Sequence, residues 1–145
     1  ETLPRSLCDS VEGAWRLATL VDRENFGILF DPANLHATGR MPSFAGMVRL
    51  GPCIKHVHVK DIERVMRDGD ENTAPPEFRV ALLGEGEVDL RRVIEALVSA
   101  GYDGFLTVDQ GAVTDVELEA RHNAAAVKAL VHAVDARRAH PEGAA

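Results

Sequence analysis

The sequence predicts an α/β fold with a parallel sheet, on three observations. Helical and strand-like patterns alternate along the chain in the order helix, strand, helix, strand, helix, strand, helix, the order of linked βαβ units. The strand candidates Phe26–Phe30 and Gly104–Val108 are short apolar runs, and the third, 53–60, alternates Val57 and Val59 with His56, His58 and Lys60. Each of the three strand candidates ends at or beside a side chain that can bind a metal or a polar substrate: Asp31, His58 and Asp109.

The first helix starts near Asp9-Ser10-Val11-Glu12, with Asp9 as N-cap and Glu12 three residues on. Val11, Ala14, Trp15, Ala18 and Val21 recur at helical spacing, so Trp15 reads as a packing residue. Phe26–Phe30 is a buried strand that Pro32 stops, because proline lacks the ladder donor. Asp31 is then a carboxylate at a strand's carboxyl end, although an aspartate before proline also fits a simple turn. Asn34, His36 and Gly39 fall on the following loop. Met41–Leu50 is a weaker helical segment closed by Gly51-Pro52.

In the strand 53–60, period two sets Ile54, His56, His58 and Lys60 on one face and Lys55, Val57, Val59 and Asp61 on the other. Burying two histidines and a lysine in an apolar core would be costly. A barrel strand would instead aim them at a metal and an oxygen-rich substrate. Taken alone, the stretch also fits a solvent-facing edge strand. The segment 62–78 is polar and rich in turn formers, as expected of a long lid-like loop. Gly84-Glu85-Gly86-Glu87-Val88-Asp89 turns the chain into a helix with Asp89 as N-cap and Val88 able to staple onto Val93. Leu90, Val93, Ile94, Leu97 and Val98 form its apolar stripe, and Gly101 its C′ residue. After the strand Gly104–Val108, Thr114-Asp115-Val116-Glu117 reads as a capping box for a last helix that runs to about Arg138. One domain over 1–139 and a frayed tail at 140–145 follow.

Composition excludes several classes. The chain has 145 residues, 46% hydrophobic and 27% charged, as in an ordinary globular domain. A net charge of −7 makes nucleic acid a poor partner. No apolar run is long enough for a membrane span, and no signal peptide is visible. Cys8 and Cys53 form neither a zinc pair nor a disulfide framework; they read as reduced thiols of a cytoplasmic protein, with Cys53 buried. The Gly84/Gly86 pair follows a long loop, so a dinucleotide site is poorly supported. No Gly-x-Ser-x-Gly elbow is present. The chain starts at Glu1, not Met, as a processed or truncated product would.

Asp31, His58 and Asp109, with Glu1 where a preceding strand would have ended, make an oxygen and nitrogen donor set suited to Mn2+, Mg2+ or Zn2+. At this point a resemblance enters. Glu1…Asp9-Ser10, Phe30-Asp31-Pro32-Ala33-Asn34, His56-Val57-His58-Val59-Lys60-Asp61, Leu83–Asp89 and Gly101–Val108 resemble the xylose isomerase-like sugar phosphate isomerase/epimerase family. The resemblance spans nearly the whole chain but only the second half of that family's domain, a (β/α)8 TIM barrel. It implies the C-terminal half of such a barrel: helix five of the family's order, then its strands and helices six, seven and eight.

The resemblance further implies that Glu1, Asp31, His58 and Asp109 hold a divalent metal, with Mn2+ the foremost candidate and Mg2+, Zn2+ and Co2+ open. It assigns proton transfer to Glu1 and Asp109, and substrate contacts to Asn34, His56, Lys60 and Arg64. Asp109 departs from the pattern, since Glu is usual there and its carboxylate reaches further. The implied activity is a metal-dependent isomerase or epimerase of sugars or sugar-like keto compounds, working through an enediolate. A keto-cyclitol dehydratase shares the enolisation step. An inactive barrel fragment serving as a binding module is the rival from another class. The phosphodiesterase branch of the same barrel needs more histidines and a basic surface. A half-barrel leaves open edges, so the chain is expected to need the missing N-terminal half or to self-associate.

Overall fold

The computed structural model describes residues 1–65, 76–111 and 114–139. Three parallel strands, β1 (Ile28–Phe30), β2 (Ile54–Val59) and β5 (Leu106–Val108), form one sheet in the order β1-β2-β5. The helices α1 (Val11–Val21), α2 (Pro32–Ala37), α3 (Phe44–Leu50), α4 (Leu90–Ser99) and α5 (Val116–Ala139) surround it. The predicted alternation of helices and parallel strands is therefore present.

The core lies on the helical side of the sheet. Phe30, Val57 and Val59 share it with Met47 and Leu50 of α3 and with Val93 and Leu97 of α4. Each fully buried side chain of this size contributes about 1.5–3 kcal/mol. The opposite face of β2 carries His56, His58 and Lys60, all half-buried, as period two requires. Ile54 departs from the alternation: it is buried, while Lys55 is exposed. The cause is a register shift, because Ile28 pairs with Ile54 but Leu29 with His56, which leaves Lys55 bulged. Its stem lies over Gly27, where a Cβ would collide with it.

Several boundaries differ from expectation. Ser10, not Asp9, caps α1 by accepting from the Gly13 N–H, and Asp9 pairs instead with Arg40 at 2.6 Å. The loop after Asp31 is a short helix, α2, because Asp31 accepts from the Asn34 N–H and Pro32 suits the first helical turn. Asp115 caps α5, accepting from Glu117 and Leu118 N–H, while Glu119 rather than Glu117 reaches back to Thr114. Cys53 is half-buried in a 3-10 turn; Cys8 is the buried thiol. Asp89 does cap α4 through the Arg92 N–H, and Gly101 takes a φ of +77° just past it.

The segment expected to be a loop from 62 onwards begins and ends as strand. β3 (Asp61–Arg64) and β4 (Phe78–Ala81) form an antiparallel pair, with Ile62 opposite Val80 and Arg64 opposite Phe78. The loop expectation for 66–75 and the frayed tail at 140–145 lie outside the described residues. Among the described residues no helix is long and apolar enough to cross a membrane.

Candidate metal centre

Parallel strands β1 and β2 end side by side, which sets Asp31 and His58 next to each other. Asp31 is fully buried. Its Oδ1 accepts from the Asn34 N–H, and its Oδ2 from Lys60 Nζ at 3.0 Å. Thr2 secures the segment that carries Glu1. Its hydroxyl donates to the Asp31 carbonyl (3.0 Å) and accepts from the Asp31 N–H (2.7 Å), while its own N–H bonds to the Leu29 carbonyl. Asn34 Nδ2 then donates to both Glu1 Oε1 and the Thr2 carbonyl, 3.2 Å each.

His58 Nδ1 faces three carboxylates: Glu1 Oε1 at 3.5 Å, Asp31 Oδ2 at 3.8 Å and Asp109 Oδ2 at 3.4 Å. These approaches suit an ion pair but are no hydrogen bonds, and the nitrogen is buried without a hydrogen-bond partner. A buried ring nitrogen among carboxylate oxygens is an arrangement that a cation between them would satisfy. Ligand atoms held about 2.1 Å from one ion at tetrahedral angles stand roughly 3.4 Å apart, close to these separations. Glu1, Asp31 and His58 offer ligand atoms that all lie within 4.8 Å of one another. The donor set of imidazole and carboxylates therefore fits a divalent ion. Asp109 stands outside that group although it touches His58.

Lys60 bridges the two aspartates, 3.0 Å from Asp31 Oδ2 and 3.0 Å from Asp109 Oδ2. Burial alone would lower the pKa of its ammonium, but the hydrogen bonds to Asp109 and Asp31 outweigh burial and raise it above 10.5. Asp109 is the reciprocal case: the Lys60 hydrogen bond holds its carboxyl below its usual 3.8, against the opposing effect of burial. His56 contacts Thr107 Oγ1 at 2.8 Å and meets the His58 ring edge-on.

Arg64 makes its contacts elsewhere, in a neighbouring cleft of about 680 Å3 that His36, Phe78 and Glu87 also line. Its guanidinium lies 5.7 Å from the Phe78 ring, and its N–H donates to Glu87 Oε1. Glu87 Oε2 is 3.3 Å from His36 Nε2. Sequence reasoning missed Thr2, Glu87 and Asp61. Asp61 is fully buried and accepts four backbone N–H groups, from Ile62, Gly84, Gly86 and Val88. Its signal was readable, since the period-two pattern of β2 places Asp61 on the buried side with Val57 and Val59.

Comparison with known proteins identifies the family. The family model described as xylose isomerase-like TIM barrel matches residues 1–130. An inosose dehydratase of Lacticaseibacillus casei is 30% identical over 101 residues, 65% of this chain and 33% of that protein. The rhizopine catabolism protein MocC of Rhizobium meliloti is 36% identical over 95 residues, 61% of this chain and 29% of its own length. Among solved structures, a xylose isomerase-like TIM barrel protein from Mycobacterium smegmatis in complex with magnesium superposes with a TM-score of 0.70 at 20% identity, over 91% of this chain and 43% of that one. A xylose isomerase domain protein from Planctomyces limnophilus gives 0.64 at 24% identity, over 85% and 43%. The chain spans about a third of the length of the curated relatives it matches. With nine-tenths of its length under the family model, the chain belongs to the xylose isomerase-like TIM barrel family.

Proposed function

We propose that residues 1–139 are the C-terminal half of a barrel enzyme that removes a proton beside the carbonyl of a polyhydroxylated keto compound. The observation that carries this reading is His58 Nδ1, buried without a hydrogen bond among three carboxylates. A divalent ion there, with Mn2+ the first to try, would supply Lewis-acid polarisation of the carbonyl and stabilise developing negative charge. Glu1, Asp31 and His58 would hold it, with Asp109 as the fourth donor. Asp109, hydrogen-bonded to Lys60, and Glu1 are the two proton-transfer groups of this reading. Asn34 orients Glu1, His56 meets the nearer hydroxyl groups of the substrate, and Arg64, in the neighbouring cleft, meets the more distant ones.

Two outcomes share this step. Protonation of the former carbonyl carbon is isomerisation, and return of a proton to the same carbon from its opposite face is epimerisation. Loss of a hydroxyl from the next carbon is dehydration. Dehydration has its own support in the curated relatives named inosose dehydratase. The test is exchange with solvent deuterium by the full-length protein loaded with Mn2+, offered ketoses and keto-cyclitols in turn. Deuterium at the carbon beside the carbonyl is expected, with an unsaturated ketone absorbing in the ultraviolet if a hydroxyl departs. Asp31→Ala and His58→Ala should each weaken Mn2+ binding at least about a hundredfold. Exchange that continues undiminished in both variants and in chelator would sink the proposal.

A further inference from the structure

Asp31 Oδ2 and Asp109 Oδ2 each have two neighbours. Lys60 Nζ is 3.0 Å from both oxygens, and His58 Nδ1 is 3.8 Å from the first and 3.4 Å from the second. The ammonium and the imidazole nitrogen thus address the same pair of oxygens. Asp31 Oδ1 already accepts the Asn34 N–H at the N-terminus of α2, so Oδ2 is the oxygen that faces both His58 and Lys60. A divalent ion ligated by Asp31 Oδ2 at about 2.1 Å could lie no more than roughly 5 Å from Lys60 Nζ in its present place. At that separation, in a partly desolvated site, the two cations repel strongly.

We infer that Lys60 is a built-in counter-ion of the metal site, which pairs with Asp31 and Asp109 in the absence of metal and must give up the Asp31 oxygen when a divalent ion enters. The inference rests on the metal-binding reading and goes beyond it. Lys60 then sets metal affinity rather than only touching substrate. It also favours divalent over monovalent ions, since a single charge gains too little from the carboxylates to displace an ammonium already 3.0 Å from each. The buried carboxylate of Asp31 stays charge-compensated in both states, which spares the protein an unpaired buried charge.

The test is calorimetric titration of the full-length, metal-stripped protein with MnCl2, beside Lys60→Met and Lys60→Gln. Methionine keeps the stem without the charge, and glutamine retains a hydrogen-bonding head if methionine disturbs folding. Removal of one positive charge next to the ion should tighten Mn2+ binding about tenfold or more in both variants. If the parent binds Mn2+ and neither variant binds it more tightly, the counter-ion role is overturned and the metal site stands. If the parent fails to bind but a neutral variant binds, the inference holds in its strongest form. If no protein in the set binds Mn2+, the metal site falls, and the counter-ion role with it.

Discussion

At the scale of single residues, charge decides where side chains settle. Glu87 is exposed, yet it serves two partners, accepting from the Arg64 N–H and facing His36 Nε2. The Arg64 backbone hydrogen bond is the largest cause that holds its carboxyl below its usual 4.5, with the His36 contact next. A depressed carboxyl stabilises the fold above its unfolded pKa and loses that contribution as pH falls through the folded value. The parent should therefore melt slightly above Glu87→Gln at neutral pH. The gap should shrink as pH drops below 4.5 and close once Glu87 is protonated. The effect is small because the group is solvent-screened. Melting curves across that range check it, and a gap that persists unchanged in strong acid would remove the carboxylate from the account. None of this was legible in the sequence. Glu87 is one of many surface acids, and its partners come from α2 and β3, 51 and 23 residues away. By contrast, Asp31 and His58 were legible, because a polar residue that ends an apolar strand has few other places to point.

At the scale of elements, the turn Gly84 to Val88 has no ladder or helix to satisfy its N–H groups. Asp61 does so instead, since one carboxylate accepts from Gly84, Gly86 and Val88 as well as from Ile62. The close approach leaves no room for a side chain at Gly86, where a Cβ would strike the Asp61 carboxylate and the Ile62 carbonyl. Asp61→Ala should cost roughly 3 kcal/mol, since the Ile62 and Val88 N–H groups, each worth about 1–3 kcal/mol, would be left buried and unpaired. Gly86→Ala should also destabilise, while Gly84→Ala meets no steric block and suffers only from its φ of +91°. Denaturant melts of these variants provide the check, and a neutral Asp61→Ala would remove the carboxylate from its anchoring role. Propensity and periodicity made α4 legible, because its cap, stripe and C′ glycine agree. The hairpin β3–β4 was not. Glu63, Arg64 and Arg79 interrupt any apolar alternation, and the pairing depends on Asp61 and on a crossing that spans an intervening polar segment.

At the scale of the molecule, the sheet stops with its last strand uncovered. β5 pairs with β2 along one edge, and among the described residues no strand pairs with the other. Phe105, just before β5, is 80% exposed, and Leu118 at the start of α5 is 66% exposed. The outer edge of β1 is only partly covered, through the Thr2 N–H to Leu29 carbonyl bond. An unpaired edge flanked by large apolar side chains is a template for further pairing. The sequence pattern revealed the strands but not this edge, because a buried parallel strand reads the same whether one neighbour or two flank it. In the proposed barrel the edge at β5 meets the remaining strands, and Phe105 is covered. The 15.7 kDa chain on its own should then sediment as more than a monomer. Phe105→Lys should act with opposite sign in the two contexts. In the isolated chain a charge beside the open edge should reduce association, whereas in the full-length protein it would be forced into an apolar contact and lower the melting temperature. A buried, unpaired charge of this kind costs several kcal/mol, which is a large share of a domain's stability. Equal tolerance of Phe105→Lys in both proteins would mean that this face stays open to water, and the closed-barrel arrangement would have to be given up.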